Sequence, residues 1–113
     1  MGACQMRTTY PSPYKYQGMA WMRGEQFCIA YPPVVYHELY GALYKYYNGS
    51  WRLMSSRLTP GGSPGNWLFV LTRYDCTSVT VWRNWWAQAV GYSWAYGTMW
   101  TGTHSRYDPM YCG

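Results

Sequence analysis

Residues 36–58, YHELYGALYKYYNGSWRLMSSRL, hold two aromatic-rich runs separated by Asn48-Gly49. Asn-Gly between alternating runs is the strongest short-range signal for a two-residue type I′ hairpin, because both turn residues must take positive φ. Such a turn fixes the register. Tyr46 then faces Trp51, Tyr44 faces Leu53, Ala42 faces Ser55 and Tyr40 faces Arg57. On the other side Tyr47 pairs with Ser50, Lys45 with Arg52, Leu43 with Met54 and Leu39 with Leu58. Two cations directly opposite each other repel unless water screens them. The Lys45/Arg52 side is therefore expected to be wet, with Tyr44, Tyr46, Trp51 and Leu53 turned inward as the buried face of an antiparallel sheet.

The rest of the chain must build on that hairpin. At 113 residues it is long enough for one core and too short for two. Charged residues are only 12%, about half the usual quarter, whereas Phe, Trp and Tyr make up 21%. Disordered chains have the opposite bias, so a folded domain is expected. The net charge of +5 comes from cations placed singly, from Arg7 to Arg106. Nucleic-acid binders concentrate charge in a stripe, so this scatter reads as a solubilising surface and argues against a nucleic-acid partner. The longest apolar run, residues 67–71, cannot span a membrane as a helix.

Export is read from the cysteines. Four of them (Cys4, Cys28, Cys76, Cys112) in a small Gly- and Tyr-rich chain imply two disulfides in an oxidising compartment. The N-terminal stretch lacks the apolar core of a signal peptide. The expectation is a mature secreted, extracellular protein whose leader was replaced by Met1. Four cysteines permit three pairings. The sequential one, Cys4–Cys28 with Cys76–Cys112, closes the shorter loops and is preferred; each bridge should contribute roughly 3–4 kcal/mol in the chain-entropy picture.

Taken in order, residues 1–22 are expected to form an extended Pro/Tyr-rich N-terminal arm, because Tyr10-Pro11-Ser12-Pro13-Tyr14 favours polyproline geometry. Residues 23–113 form the domain. A strand passes through Phe27 and Ile29 and ends at Pro32-Pro33, and the hairpin follows. Thr59 to Asn66 is a Pro/Gly loop, and residues 67–74 (WLFVLTRY) read as the best central strand. Further strands are expected from Val79 to Trp82, over residues 85–90 and over residues 94–100, the last two broken at Gly91, with a turn at Thr101-Gly102. No window carries helical periodicity over three turns. Many short strands punctuated by turns predict an all-β fold, an antiparallel β-sandwich stapled by two disulfides. Tyr74-Asp75-Cys76 resembles the tyrosine corner of immunoglobulin domains. No Trp lies between Cys28 and Tyr47, where that family carries its core Trp, so the sandwich is kept without the family.

Motifs for catalysis are sparse. No two cysteines have zinc-ligand spacing, His37 and His104 stand apart, and no metal or cofactor is expected. Tyr36-His37-Glu38-Leu39-Tyr40 and Thr101-Gly102-Thr103-His104 resemble motifs of the small guanyl-specific microbial ribonucleases, which are secreted, Tyr-rich and disulfide-closed. The resemblance implies Glu38 as general base, His104 as general acid and Arg52 or Arg73 as phosphate clamp. It covers about ten residues, and the interval from Glu38 to His104 is longer than in that family. Asn48-Gly49-Ser50 also fits an N-glycosylation sequon, although the turn already accounts for it.

The aromatic residues carry the main functional expectation. About half of the 24 rings can fill a core of this size, and the rest must reach the surface. Exposed Tyr and Trp are what protein hot spots and glycan-stacking sites use. Tyr92, Trp94, Tyr96 and Trp100 are spaced by two along a strand, and Tyr10, Tyr14 and Tyr16 lie beside prolines. Residues 46–52 and the Gly/Trp-rich tail resemble small exported proteins of actinobacteria with no assigned role, which implies export and β structure. The sequence therefore predicts a non-catalytic binding or adaptor module that docks a protein partner through exposed Tyr and Trp. The alternatives are a carbohydrate-binding lectin-like protein and a small secreted ribonuclease. The arm is expected to engage a second subunit, so that deleting residues 5–16 would abolish assembly and spare the fold.

Overall fold

The computed structural model describes residues 4–8, 13–28, 36–62, 67–95 and 98–113. They form eight strands: β1 (Cys4–Thr8), β2 (Tyr14–Tyr16), β3 (Met19–Cys28), β4 (Tyr36–Tyr47), β5 (Ser50–Gly62), β6 (Trp67–Asp75), β7 (Trp82–Ala95) and β8 (Thr98–Tyr111). Among the described residues there is no helix, and none is long and apolar enough to cross a membrane. The all-β expectation is met, and every pairing is antiparallel.

β3 is the spine of the first sheet. β6 runs along one side of it, from Met19 opposite Asp75 to Phe27 opposite Trp67. β1 and β2 lie end to end along the other side, with Cys4 opposite Cys28 and Tyr14 opposite Trp21. The expected N-terminal arm is thus corrected: its described parts are strands of the sheet, and a boundary after residue 22 falls inside β3. The overlooked signal is Gln17-Gly18, where φ of 53° and 74° closes a tight hairpin between β2 and β3. β6 is an edge strand, not the expected central one. Its edge is covered from β5, where Thr59 Oγ1–H donates to the Phe69 carbonyl at 2.6 Å and the Ser55 and Thr72 hydroxyls are hydrogen-bonded.

The second sheet has the order β5-β4-β7-β8. Asn48 and Gly49 take φ of 52° and 82°, as the type I′ turn requires. From the turn to Tyr44 opposite Leu53 the register is the expected one; a shift at Met54 then sets Leu43 opposite Ser55, Ala42 opposite Ser56 and Tyr40 opposite Leu58. This irregularity moves the partners of Leu43 to Leu39 on by one residue, and a second shift sets His37 opposite Gly62. β7 runs unbroken through Gly91, which is paired on both sides, with Leu39 and with Gly102. The two expected segments over 85–100, and the expected turn at Thr101-Gly102, are therefore parts of two long strands. Residues 76–81 form a connection, so the strand expected from Val79 begins only at Trp82.

The sheets pack through one buried cluster: Ala20, Met22, Leu68 and Val70 from the first, and Leu39, Leu43, Trp85, Ala87, Ala89 and Met110 from the second. Gly41 sits where β4 comes closest to the first sheet; a Cβ there would lie 2.7 Å from Met22 Sδ and 2.8 Å from a Val70 methyl. Cys4–Cys28 and Cys76–Cys112 are bonded, as preferred from the sequence. The first links neighbouring strands of one sheet. The second ties the end of β6 to the residue after β8, and so joins the two sheets. Around it Thr77 N–H donates to the Gly113 carbonyl, Gly113 N–H to Ser78 and Trp85 Nε1–H to Cys112, at 2.7, 2.7 and 3.0 Å.

The hairpin has the opposite face inward from the one expected. Lys45 is only 6% exposed, whereas Trp51 and Leu53 are on the surface at 37% and 52%. The aliphatic residues decide this. In β4, Leu39 and Leu43 share parity with Lys45, and they are fully buried in the core. Lys45 follows them inward at the end of the strand, and its amine lies 4.8, 5.1 and 5.8 Å from the ring centres of Tyr47, Tyr74 and Trp85. Ring quadrupoles replace part of the water that the ammonium gives up. Its expected wet partner, Arg52, stays outside, where its Nε–H donates to the Tyr47 carbonyl at 3.2 Å.

Candidate functional site

Because Leu39 and Leu43 claim the inside, the even-numbered residues of β4 (Tyr36, Glu38, Tyr40, Ala42, Tyr44, Tyr46) line the outer face of the second sheet. Those from Tyr36 to Tyr44 face Trp94, Tyr92, Val90, Gln88 and Trp86 on β7. The aromatic residues collect at the two ends of that face, with Ala42, Gln88 and Ser105 between them.

At the hairpin end Tyr44, Tyr46, Trp51, Trp86 and Tyr107 form one cluster. Trp51 lies edge-on to Tyr46 at 5.4 Å and to Trp86 at 5.9 Å, and Tyr107 stacks on Trp86 at 5.7 Å with a 14° interplanar angle. Tyr44 stacks on the other side of Trp86 at 4.6 Å. Desolvation, and secondarily Tyr40, raises the Tyr44 phenol above its ordinary pKa. Trp86 Nε1–H is buried with no partner among the described residues, an unsatisfied donor of the kind that marks special positions. The sequence did not single out this cluster. Its signal was there in the alternation of Tyr with Leu along β4, but the opposed cations at Lys45 and Arg52 outweighed it.

At the other end the structure brings Tyr36, Tyr92 and Trp94 together. Trp94 lies 5.2 Å from Tyr36 and 6.4 Å from Tyr92. Tyr92 and Trp94 line a hollow of about 350 Å³ with Glu38, Tyr40, Leu58 and Met99, and Tyr36 stands beside it against Trp94. Tyr36 O–H donates to Glu38 Oε1 at 3.1 Å. That bond, then loss of water and then the carboxylate's charge, raise the Tyr36 pKa, against a smaller pull downward from the Gly61 backbone. The Tyr36 ring lies directly on Gly61, in space that any Cβ would fill. Beneath the hollow, buried Gln26 donates from Nε2 to the Glu38 carbonyl at 2.9 Å and to His37 Nδ1 at 3.2 Å. The Glu38 main chain is thus held from beneath the sheet by Gln26, and its carboxylate is held on the outer face by Tyr36.

The remaining expected site residues scatter. Tyr14, stacked on Trp21 at 6.4 Å, and exposed Tyr16 belong to the first sheet. They point away from its core, on the opposite side of the sandwich from Tyr92 and Trp94. Tyr10 and Tyr96 lie outside the described residues; Trp100 sits opposite Ser93 in the register, and its side chain is not described. Glu38 and His104 do not converge. Glu38 shares a row with Tyr92 and Thr101 on the outer face, whereas His104 pairs with buried Ala89, on the inward parity of β7. Arg52 is at the hairpin end, and the Arg73 guanidinium lies over Trp21 at 5.4 Å on the first sheet. The ribonuclease arrangement of base, acid and clamp is not assembled by these four residues. Among the described residues no group of three or more His, Cys, Asp or Glu could hold a metal ion.

No family model matches the chain, and no curated protein matches it significantly. Solved structures give distant likenesses. A calcium-binding mutant of Bacteroides uniformis β-glucuronidase 2 is 12% identical with a TM-score of 0.45, covering 95% of this chain and 13% of that one. The sporulation control protein Spo0M from Bacillus subtilis is 13% identical with a TM-score of 0.41, covering 97% of this chain and 49% of its own. This chain therefore spans at most about half the length of either. Neither likeness bears on what it binds.

Proposed function

We propose that this protein is a secreted, non-catalytic module that docks a protein partner through the aromatic outer face of its second sheet. The observation that carries the reading is the outer-face cluster in which exposed Tyr46, Trp51 and Tyr107 pack over half-buried Tyr44 and Trp86, outside a core filled largely by Leu, Met, Ala and Val. Tyr and Trp offer much contact area at small entropic cost, and they dominate binding hot spots. A protein is favoured over a glycan because the rings cover one another. Trp51 stands at 56–70° to three neighbours, so the face offers ring edges and hydroxyl tips more than the free flat faces on which sugars stack. Two disulfides suit an extracellular setting.

The test is affinity purification from the culture medium of the source organism, with the wild-type chain and a Trp51→Ser/Tyr107→Ser variant as baits. The expected result is a stoichiometric protein that the wild type retains and the folded variant loses by at least tenfold. Equal retention by both, or a glycan array on which the wild type binds sugars while retaining no protein, would overturn the reading.

A further inference from the structure

Glu38 is one of four carboxylates in a chain of net charge +5, and it is the one set in a ring of aromatic side chains. Tyr36, Tyr40, Tyr92 and Trp94 surround it, and among the described residues no cation pairs with it. A carboxylate in an apolar hollow normally has a counter-charge. Here the neighbouring positions in the register are Tyr92 and Thr101, not Lys or Arg. One oxygen accepts the Tyr36 hydroxyl, and the second has capacity for further donors, with no partner among the described residues.

We infer that this hollow is a cation-recognition site, and that its occupant is an arginine side chain presented by the docked protein. Two features favour a guanidinium over a compact ammonium. Its planar fork matches a carboxylate with parallel N–H···O bonds, and its flat face stacks on indole and phenol rings. Trp94 and Tyr92 lie within 30° of coplanar and offer such a platform. The positive charge spread over the rest of the chain repels cations elsewhere, so the hollow sets the register in which a partner lands. This inference rests on the docking reading and adds to it the chemistry of one contact.

The site can be tested without the partner. The folded chain is titrated with N-acetyl-argininamide, with its neutral isostere N-acetyl-citrullinamide and with tetramethylammonium chloride, at constant ionic strength, while the Trp94 indole N–H resonance is followed. The expected result is a saturable shift with the arginine probe, a weaker one with tetramethylammonium and none with the citrulline probe. Glu38→Gln, whose amide oxygen still accepts from Tyr36, should weaken the arginine response about tenfold or more, the loss of one charge-assisted contact. An equal response to the citrulline probe, a response that Glu38→Gln leaves unchanged, or no response in a chain with a native near-UV spectrum would each overturn the inference. Partner capture that depends on Trp51 and Tyr107 but survives Glu38→Gln would overturn it too, while leaving the docking reading in place.

Discussion

Lys45 shows how one residue can mislead a reading of the strand that carries it. Opposed to Arg52 across the hairpin, it looks like a surface cation, and yet it is buried among Tyr47, Tyr74 and Trp85. Loss of water, and then the nearby Arg83, hold its pKa below the ordinary lysine value of 10.5. The folded chain therefore releases this proton at lower pH than the unfolded chain does. Below both values the amine is charged in either state and the cost of burying it is fully present. Between the folded value and 10.5 the unfolded chain binds more protons, so this residue's contribution to stability rises with pH. Lys45→Met keeps the stem and removes the charge. Denaturant unfolding at neutral pH should find the variant within about 1.5 kcal/mol of wild type or more stable. Its advantage should shrink as pH approaches 10.5. A variant several kcal/mol weaker at neutral pH would mean that the ring contacts outweigh the loss of water.

At the scale of strands, what the chain announces is its turns. Asn48-Gly49 gave a hairpin with the right pairing as far as Leu53, because two positive φ angles leave no other register. Beyond that the register passes a bulge at Met54, which no residue there signals, since a single unpaired residue in a polar edge strand has no special chemistry. Gly91 and Gly102 read as breaks, yet they sit side by side in extended backbone, with Gly91 held by paired strands on both flanks. The N-terminal segment misled in another way: its prolines pointed to polyproline geometry, while Cys4 and Gln17-Gly18 already marked it as part of the sheet. Removing residues 5–16 should therefore lower the thermal transition steeply and not leave it intact. The deletion strips most of β1 and β2 from β3 and frees one flank of its backbone hydrogen-bonding groups. A deletion variant melting within a few degrees of wild type would contradict the pairing described.

For the whole molecule, strand count pointed to two packed sheets, and cysteine spacing favoured, among three possible pairings, the one observed. They were not enough to say which way each sheet faces. That choice depends on long-range competition for a core filled by Leu39, Leu43, Met22, Val70 and Trp85, which alternation within one strand cannot reveal. The same competition creates the candidate site. Rings displaced by aliphatic residues gather on the outer face, Tyr36, Tyr92 and Trp94 at one end and Trp51, Trp86 and Tyr107 at the other. Tyr92 and Trp94 were legible from their spacing; Trp51, Trp86 and Tyr107 were not, because they come from three strands that meet only in the folded sheet.

The central claim is that these outer rings serve contact and not the core, and unfolding free energies test it most directly. Denaturant titration of Trp51→Ser/Tyr107→Ser should show a cooperative transition within about 2 kcal/mol of wild type, as for partly exposed aromatic pairs. Trp85→Ala should lose about 3–5 kcal/mol, as for a buried aromatic residue. A double variant as damaged as Trp85→Ala would contradict the account, because its rings would then be part of what holds the sandwich together.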